Sequence, residues 1–322
     1  MWENPVESGA PGPLSYFFEW LDDQFTRAEP RRHAQDYLQG LLTPPDPQRT
    51  AAGADDGRNR LLTTARWSED RVRDRTRDMV LACMGSDESV LVIAEDAFLK
   101  KGHDSAGVAR QYSAASGRMD NYQIGLFLLH VDPRGVSCAI DRELLVPPQR
   151  ADDPVHRKRA GIPETAGTSR EDLALAMVER ALDAGAPARW VVADTPYYGD
   201  SAAFRAALEA SRTPYALASL MSGPPVTKEP TADGFVRWRI GRTGGGSYQC
   251  YAPAGTGLDE LVAVAAQEST VRSHFASARR EAGLDRYAVR KWRAWYRHIT
   301  LAMFAHAFLR VTQASAINQE LR

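Results

Sequence analysis

The chain is poor in cysteine, carries almost no net charge and contains no long apolar run. Its three cysteines, Cys83, Cys138 and Cys250, stand far apart with no CxxC spacing. That excludes a dense disulfide framework and paired-cysteine zinc patterns, and reads as buried thiols in a reducing compartment. Lysine plus arginine number 40 against 41 aspartate plus glutamate, a net charge of −1. The sequence pI is about 6.7. Proteins that grip DNA through many phosphates are usually basic, so this balance disfavours DNA as the main partner and leaves room for a local basic patch. No apolar stretch reaches the roughly 18 residues that a membrane span needs, so no membrane partner is expected. The opening residues, MWENPVESGAPGP, have neither the basic nor the apolar region of a secretory signal, which makes a cytoplasmic protein the expectation. A GxGxxG, a P-loop, a zinc spacing and a nucleophile elbow are all missing, so no nucleotide cofactor is expected.

What is present is ordinary globular usage. Apolar residues make up 43% of the 322 and charged residues 25%, enough chain for one large domain or two smaller ones with a real core. The stretch LSYFFEWLDDQFTRAEPRRHAQDYLQGLL spaces its apolar residues near period 3.6 and predicts helix, broken at Pro30. Residues 43–60 are rich in Pro, Gly, Asp and Arg and read as an exposed loop. Residues 67–84 predict an amphipathic helix with Ser68 as N-cap. Strands are expected at 90–95, 107–113, 123–131 and 136–146, joined by short turns as in an antiparallel meander. A helix over 169–185 follows, capped by Ser169 or Thr168 and closed by Gly185. After it come a buried strand within 188–200, a short helix and the strand YALASL. A hairpin of GFVRWRI with SYQCYAP and two long helices, 257–282 and 290–312, complete the chain. A meander, then strand–helix–strand, then long helices is the order of an RNase H-like α/β fold: a mixed sheet flanked by helices, with N-terminal and C-terminal helical segments. The expected organisation is a helical region 1–85, a core 86–289 with a short insertion near 220–246, and a C-terminal helix and tail 290–322.

Seven motifs in order carry a family likeness. They are FLKKG (98–102), GVARQYS with GRMDNYQIGLFL (107–128), IDRELLVP (140–147), WVVADTPYYGD (190–200), CYAPAGTGLDELV (250–262), GLDRYAVR (283–290) and WYRHITLAMFAHAFL (295–309). Together they span about residues 35–312, and over that length the chain resembles DDE-superfamily transposases of the insertion sequence 701 family. The resemblance implies an RNase H-like fold and DNA cutting and joining by two Mg²⁺ ions held by two Asp and one Glu. Hard divalent cations want oxygen ligands, and two ions about 4 Å apart stabilise the attacking and leaving oxygens together.

The resemblance also shows where this chain departs. The family's first-strand Asp falls on Ala94, its second Asp on Asp194, which is present, and its helix glutamates on Arg272 and Ser273. The segments near 219–237 and 43–60, which help hold DNA in the family, look trimmed. Two of three metal ligands are therefore absent, one replaced by a cation, and no cofactor is expected beyond a weak possibility of Mg²⁺. A relocated triad of Asp96, Asp194 and Glu268 is conceivable. Asp96 shares a strand face with Ala94 about 7 Å further on, and Glu268 lies one helical turn before Arg272. The plainer alternative leaves Asp96 at a strand end and Glu268 on a solvated helix face.

The remaining candidates carry two readings each. Asp194 reads equally as a turn cap and as a functional carboxylate. Lys100 and Lys101 read as solvated residues after a strand, or as anion ligands in a cleft built for phosphate. His103 with Asp104 reads as loop residues or as an acid–base pair. Gln123 satisfies a strand edge or touches substrate, and His298 and His306 read as packed, hydrogen-bonded histidines. The functional expectation is a transposase-derived protein repurposed as an enzyme on a polar or anionic small molecule. Asp194 or Asp96 would be the base, and Lys100, Lys101 or Arg272 the anion ligand. The alternatives are a non-catalytic DNA-binding regulator and a remnant transposase. A homodimer or partner subunit completing the site is left open.

Overall fold

The computed structural model describes residues 13–43, 56–113, 117–193, 195–223, 225–242 and 244–320. Four helices come first: α1 (Pro13–Asp22), α2 (Ala28–Leu42), α3 (Asp56–Thr63) and α4 (Glu69–Met84). The break between α1 and α2 falls before Ala28, not at Pro30. Pro30 sits in the first turn of α2, where its missing N–H leaves no helical bond unmade. Helix α3 takes the end of the stretch read as an exposed loop. Helix α4 begins as its sequence predicts, with the Ser68 hydroxyl accepting from the Arg71 N–H.

The meander is β1 (Val90–Leu99), β2 (Ala109–Ser113), β3 (Arg118–Val131) and β4 (Ser137–Leu144). Two short helices, α5 (Pro148–Ala151) and α6 (Pro154–Ala160), lead to α7 (Arg170–Asp183). Ser169 caps α7 by accepting from the Asp172 N–H, and Gly185 follows it at φ 76°. Next come β5 (Trp190–Ala193), α8 (Pro196–Asp200), α9 (Ala202–Ala210) and β6 (Tyr215–Ser219). The expected hairpin is three-stranded: β7 (Val226–Pro230), β8 (Phe235–Gly241) and β9 (Ser247–Pro253). β7 escapes a pattern-based reading because every residue in it is exposed and no apolar alternation marks it. The first of the two long helices is divided into α10 (Leu258–Ala265), a 3₁₀ turn (Ala266–Ser269) and α11 (Thr270–Ala282); the second is α12 (Trp292–Glu320).

Among the described residues all nine strands join one sheet. β3 pairs antiparallel with β1 along one edge and with β2 and β4 along the other. β5 runs parallel to β1, and β6 parallel to β5. The order β4–β3–β1–β5–β6, antiparallel on one side of β1 and parallel on the other, is the RNase H-like arrangement. β9, β8 and β7 extend it beyond β6. The apolar runs of β1, β3 and β5 are buried because helices cover both faces of the sheet. No described helix is long and apolar enough to cross a membrane.

Candidate functional site

The carboxyl end of β1 organises the site. Strand alternation turns Ala94, Asp96 and Phe98 to one face and Glu95 to the other. Ala94 is 0% exposed in the core and pairs with Phe127 of β3. The parallel register with β5 ends at Ile93 opposite Ala193. Asp194, the next residue, lies outside the described residues.

Asp96 is 3% exposed and does not stand free. Its Oδ1 accepts from Arg279 Nη2 of α11 at 2.5 Å and from the Ala97 N–H at 3.0 Å. Its buried Oδ2 has no partner. Burial lifts its pKa to about 6, against the pull of the Arg279 guanidinium. The same face continues with Phe98, whose ring meets Tyr287 at 5.7 Å. Lys100 then lays its Nζ 3.5 Å over the Tyr287 ring. Burial lowers the Lys100 pKa to about 8, with Asp285 working the other way. Gln123 is fully engaged: it donates to the Ala106 carbonyl at 2.6 Å and accepts from the Tyr287 hydroxyl at 3.2 Å.

The other candidates lie elsewhere. The cation that reaches Asp96 is Arg279, not Arg272. The two share a helical stripe, but seven residues carry Arg272 about 10 Å along the axis, where it is exposed. Glu268 is held by Arg242 and by the Tyr248 hydroxyl, both at 2.9 Å. No hydrogen bond or ion pair joins it to Asp96 among the described residues. Lys101 and His103 are exposed. Asp104 pairs with Arg159 at 2.5 Å, and no hydrogen bond or ion pair joins it to His103 among the described residues, which favours the reading of the two as loop residues. His298 is packed as expected: its Nδ1 accepts from Tyr37 and its Nε2 faces the Leu284 carbonyl, at 2.7 and 3.1 Å.

The opposite face of β1 holds what sequence reasoning passed over. Glu95 accepts from Arg170 Nε at 3.2 Å and from the Tyr198 hydroxyl at 3.1 Å. Burial pushes its pKa up, against both partners. Arg170 also lies 4.7 Å from the Tyr197 ring. Beside them opens a pocket of about 330 Å³ lined by Arg110, Gln149, Arg170 and Tyr197 among others. A second pocket of about 460 Å³, lined by His103, Asn121 and Arg150 as well, shares Arg110 and Gln149 with it, so the two form one groove along β2. Arg110 is exposed, and its side chain makes no hydrogen bond or ion pair with the described residues. The sequence signal was available: Arg110 and Tyr197 lie in GVARQYS and WVVADTPYYGD, two stretches that carry the family likeness.

A model of the DDE superfamily endonuclease family matches residues 21–219, more than half of the chain and the whole run from α2 to β6. The chain belongs to that family. Among solved structures, a piggyBac transposase in a synaptic complex with hairpin DNA matches at TM-score 0.46 and 11% identity, over 98% of this chain and 70% of that one. No curated protein matches the chain. For this member of the superfamily the implied metal pair can be tested on the donors present. Ala94 offers no oxygen, Asp96 is engaged by Arg279, and Glu268 by Arg242 and Tyr248. Among the described residues no three His, Cys, Asp or Glu side chains stand together to hold a metal. The described residues do not fit a two-metal site.

Proposed function

We propose that this superfamily member has lost metal-dependent strand transfer and instead binds a polar, anionic small molecule at the carboxyl ends of β1 and β5. There it would act by displacement, elimination or hydrolysis. The observation that carries the reading is the Arg279 guanidinium seated on Asp96 beside Ala94. Two divalent cations need an excess of negative charge at this strand end, and here a fixed cation already pairs with the carboxylate that β1 sends to that face. Ligands of open α/β sheets gather outside the carboxyl ends of the strands, which is where the Arg110 groove lies. Arg110, whose side chain no described residue engages, is the anion ligand of the groove, Tyr197 an aromatic wall, and His103 a group at its outer end. Asp194 keeps the role of proton acceptor in this reading. Asp96, Arg272 and Glu268 leave the reacting set, because the first and last are ion-paired and Arg272 is exposed on α11. Lys100 and Gln123 support the strand end from behind.

Two measurements test the reading. Labelled duplex DNA is offered at about 50 and 200 mM salt with Mg²⁺ present. Neither tight, salt-sensitive binding nor cleavage is expected. Metal-dependent cleavage that disappears in Asp194→Ala would overturn the proposal, and tight salt-sensitive binding without cleavage would favour a DNA-binding regulator. Separately, a panel of di- and tricarboxylates is screened by thermal shift. At least one is expected to stabilise the protein and to lose that effect in Arg110→Gln.

A further inference from the structure

We propose a second anion site, on the outer sheet extension, that takes the phosphoryl group of a small phosphate compound. It is independent of the groove at the strand ends and shares no residue with it. Cross-strand register creates it. Thr227 of β7 lies opposite Arg239 of β8, and Arg239 lies opposite Gln249 of β9. Directly opposed residues share a face of the sheet, so a hydroxyl, a guanidinium and a carboxamide stand in one row. All three can donate hydrogen bonds. Helix α9 closes the site with Arg205 and the small side chain of Ala202, leaving a pocket of about 360 Å³.

Each charged side chain around the pocket already has a protein partner among the described residues, apart from one. In the adjacent row, Arg237 gives three hydrogen bonds to Glu209, two from Nε at 3.0 and 3.1 Å and one from Nη2 at 2.5 Å. Glu209 also accepts from Tyr215 at 2.8 Å. Glu229 stands 3.9 Å from Arg237, and Arg205 donates to the Gly199 carbonyl. The Arg239 side chain has no ion pair or hydrogen bond with any described residue, and its Nε–H is buried without an acceptor. A buried donor left without a partner is unusual in a folded protein, and a ligand oxygen would satisfy it. The planar fork of arginine matches the geometry of phosphate. The volume lies at the small end of ligand pockets, which suits a phosphoryl group with a short organic body. A nucleic-acid backbone fits less well, because Glu229 is exposed beside the row and would repel the following phosphates.

The test uses the full chain, labelled with ¹⁵N at arginine, and inorganic phosphate as the probe. The Arg239 Nε–H signal, identified by its loss in Arg239→Gln, is expected to shift saturably below about 10 mM phosphate. Phosphate should also raise the melting temperature relative to chloride of matched ionic strength. In an Arg110→Gln background, which takes the groove at the strand ends out of the measurement, both effects should persist, and adding Arg239→Gln should remove the thermal effect. If Arg239→Gln does not fold, Thr227→Val and Gln249→Leu should each weaken phosphate binding, together by roughly ten-fold. No saturable shift, or a thermal effect that survives Arg239→Gln, would refute the site. Displacement of phosphate by duplex DNA, with steep salt dependence, would overturn its assignment to a small molecule.

Discussion

Asp96 has one oxygen on Arg279 and one with no partner, and burial raises its pKa from an ordinary value of 3.8 to about 6. Because the folded value lies above the unfolded one, the carboxyl's contribution to stability is full below about pH 4. It is lost as pH rises through about 6. Urea unfolding should therefore show the wild type losing about 3 kcal/mol relative to Asp96→Asn between pH 4 and 7. Parallel pH profiles would mean that this carboxyl is not buried as described. Ala94 makes a second residue-scale test. Placing a carboxylate at this fully buried position buries a charge, so Ala94→Asp should cost several kcal/mol, and Mg²⁺ should not restore it. A melting temperature recovered by Mg²⁺ would show that a metal-holding cleft survives, contrary to the function proposed.

At the scale of elements, β1 acts as a partition. Its even face meets α11 through Asp96 and Arg279, while Glu95 on the odd face meets α7 and α8. Strand alternation makes this division readable from the sequence. Which helix would bring a cation to Asp96 was not readable, because that depends on how far α11 slides along the strand. Gly125 of β3 lies opposite Asp96, and it lets an aromatic layer close over the strand. A Cβ there would stand 2.9 Å from Phe127, 3.1 Å from Trp295 and 3.2 Å from Phe98. Gly125→Ala should thus cost about 1–3 kcal/mol by overpacking, read as a lower urea midpoint with unchanged slope. Ser68→Ala should cost about 1 kcal/mol through loss of the α4 cap; a neutral result would place the stability of that helix wholly in its packing.

Across the whole molecule, a buried ionic web fastens the helices to the meander. Arg142 of β4 is 0% exposed and bonds Asp70 of α4 at 3.0 Å and Thr300 of α12 at 2.9 Å. Its neighbour Asp141 lies between Arg73 of α4 at 3.4 Å and Arg180 of α7 at 2.9 Å. Glu143 accepts from Arg180 and from the Tyr296 hydroxyl at 2.6 and 2.7 Å. Removing Asp141 leaves the buried Arg73 and Arg142 cations without their shared carboxylate, so Asp141→Leu should lower stability by about 3–5 kcal/mol. A loss under about 1 kcal/mol would mean that the web is solvated and that apolar packing alone joins these layers. Nothing in the spacing of DRE within IDRELLVP announces this web, since its partners come from three distant helices.

The sequence by itself determined the meander, the strand–helix–strand unit, the caps at Ser68 and Ser169, and the absence of a carboxylate at position 94. These follow from local periodicity, cap chemistry and residue identity, which need no distant partner. The exposed strand β7 and the helical turn around Pro30 were not legible, because neither leaves a pattern that differs from loop. The tertiary structure alone decided that Arg279 rather than Arg272 meets Asp96 and that Glu268 turns to Arg242. It also decided that the side chains of Arg110 and Arg239 find no hydrogen-bond or ion-pair partner among the described residues. Those outcomes depend on register and helix placement across the sheet, where a displacement of two turns exchanges one arginine for another.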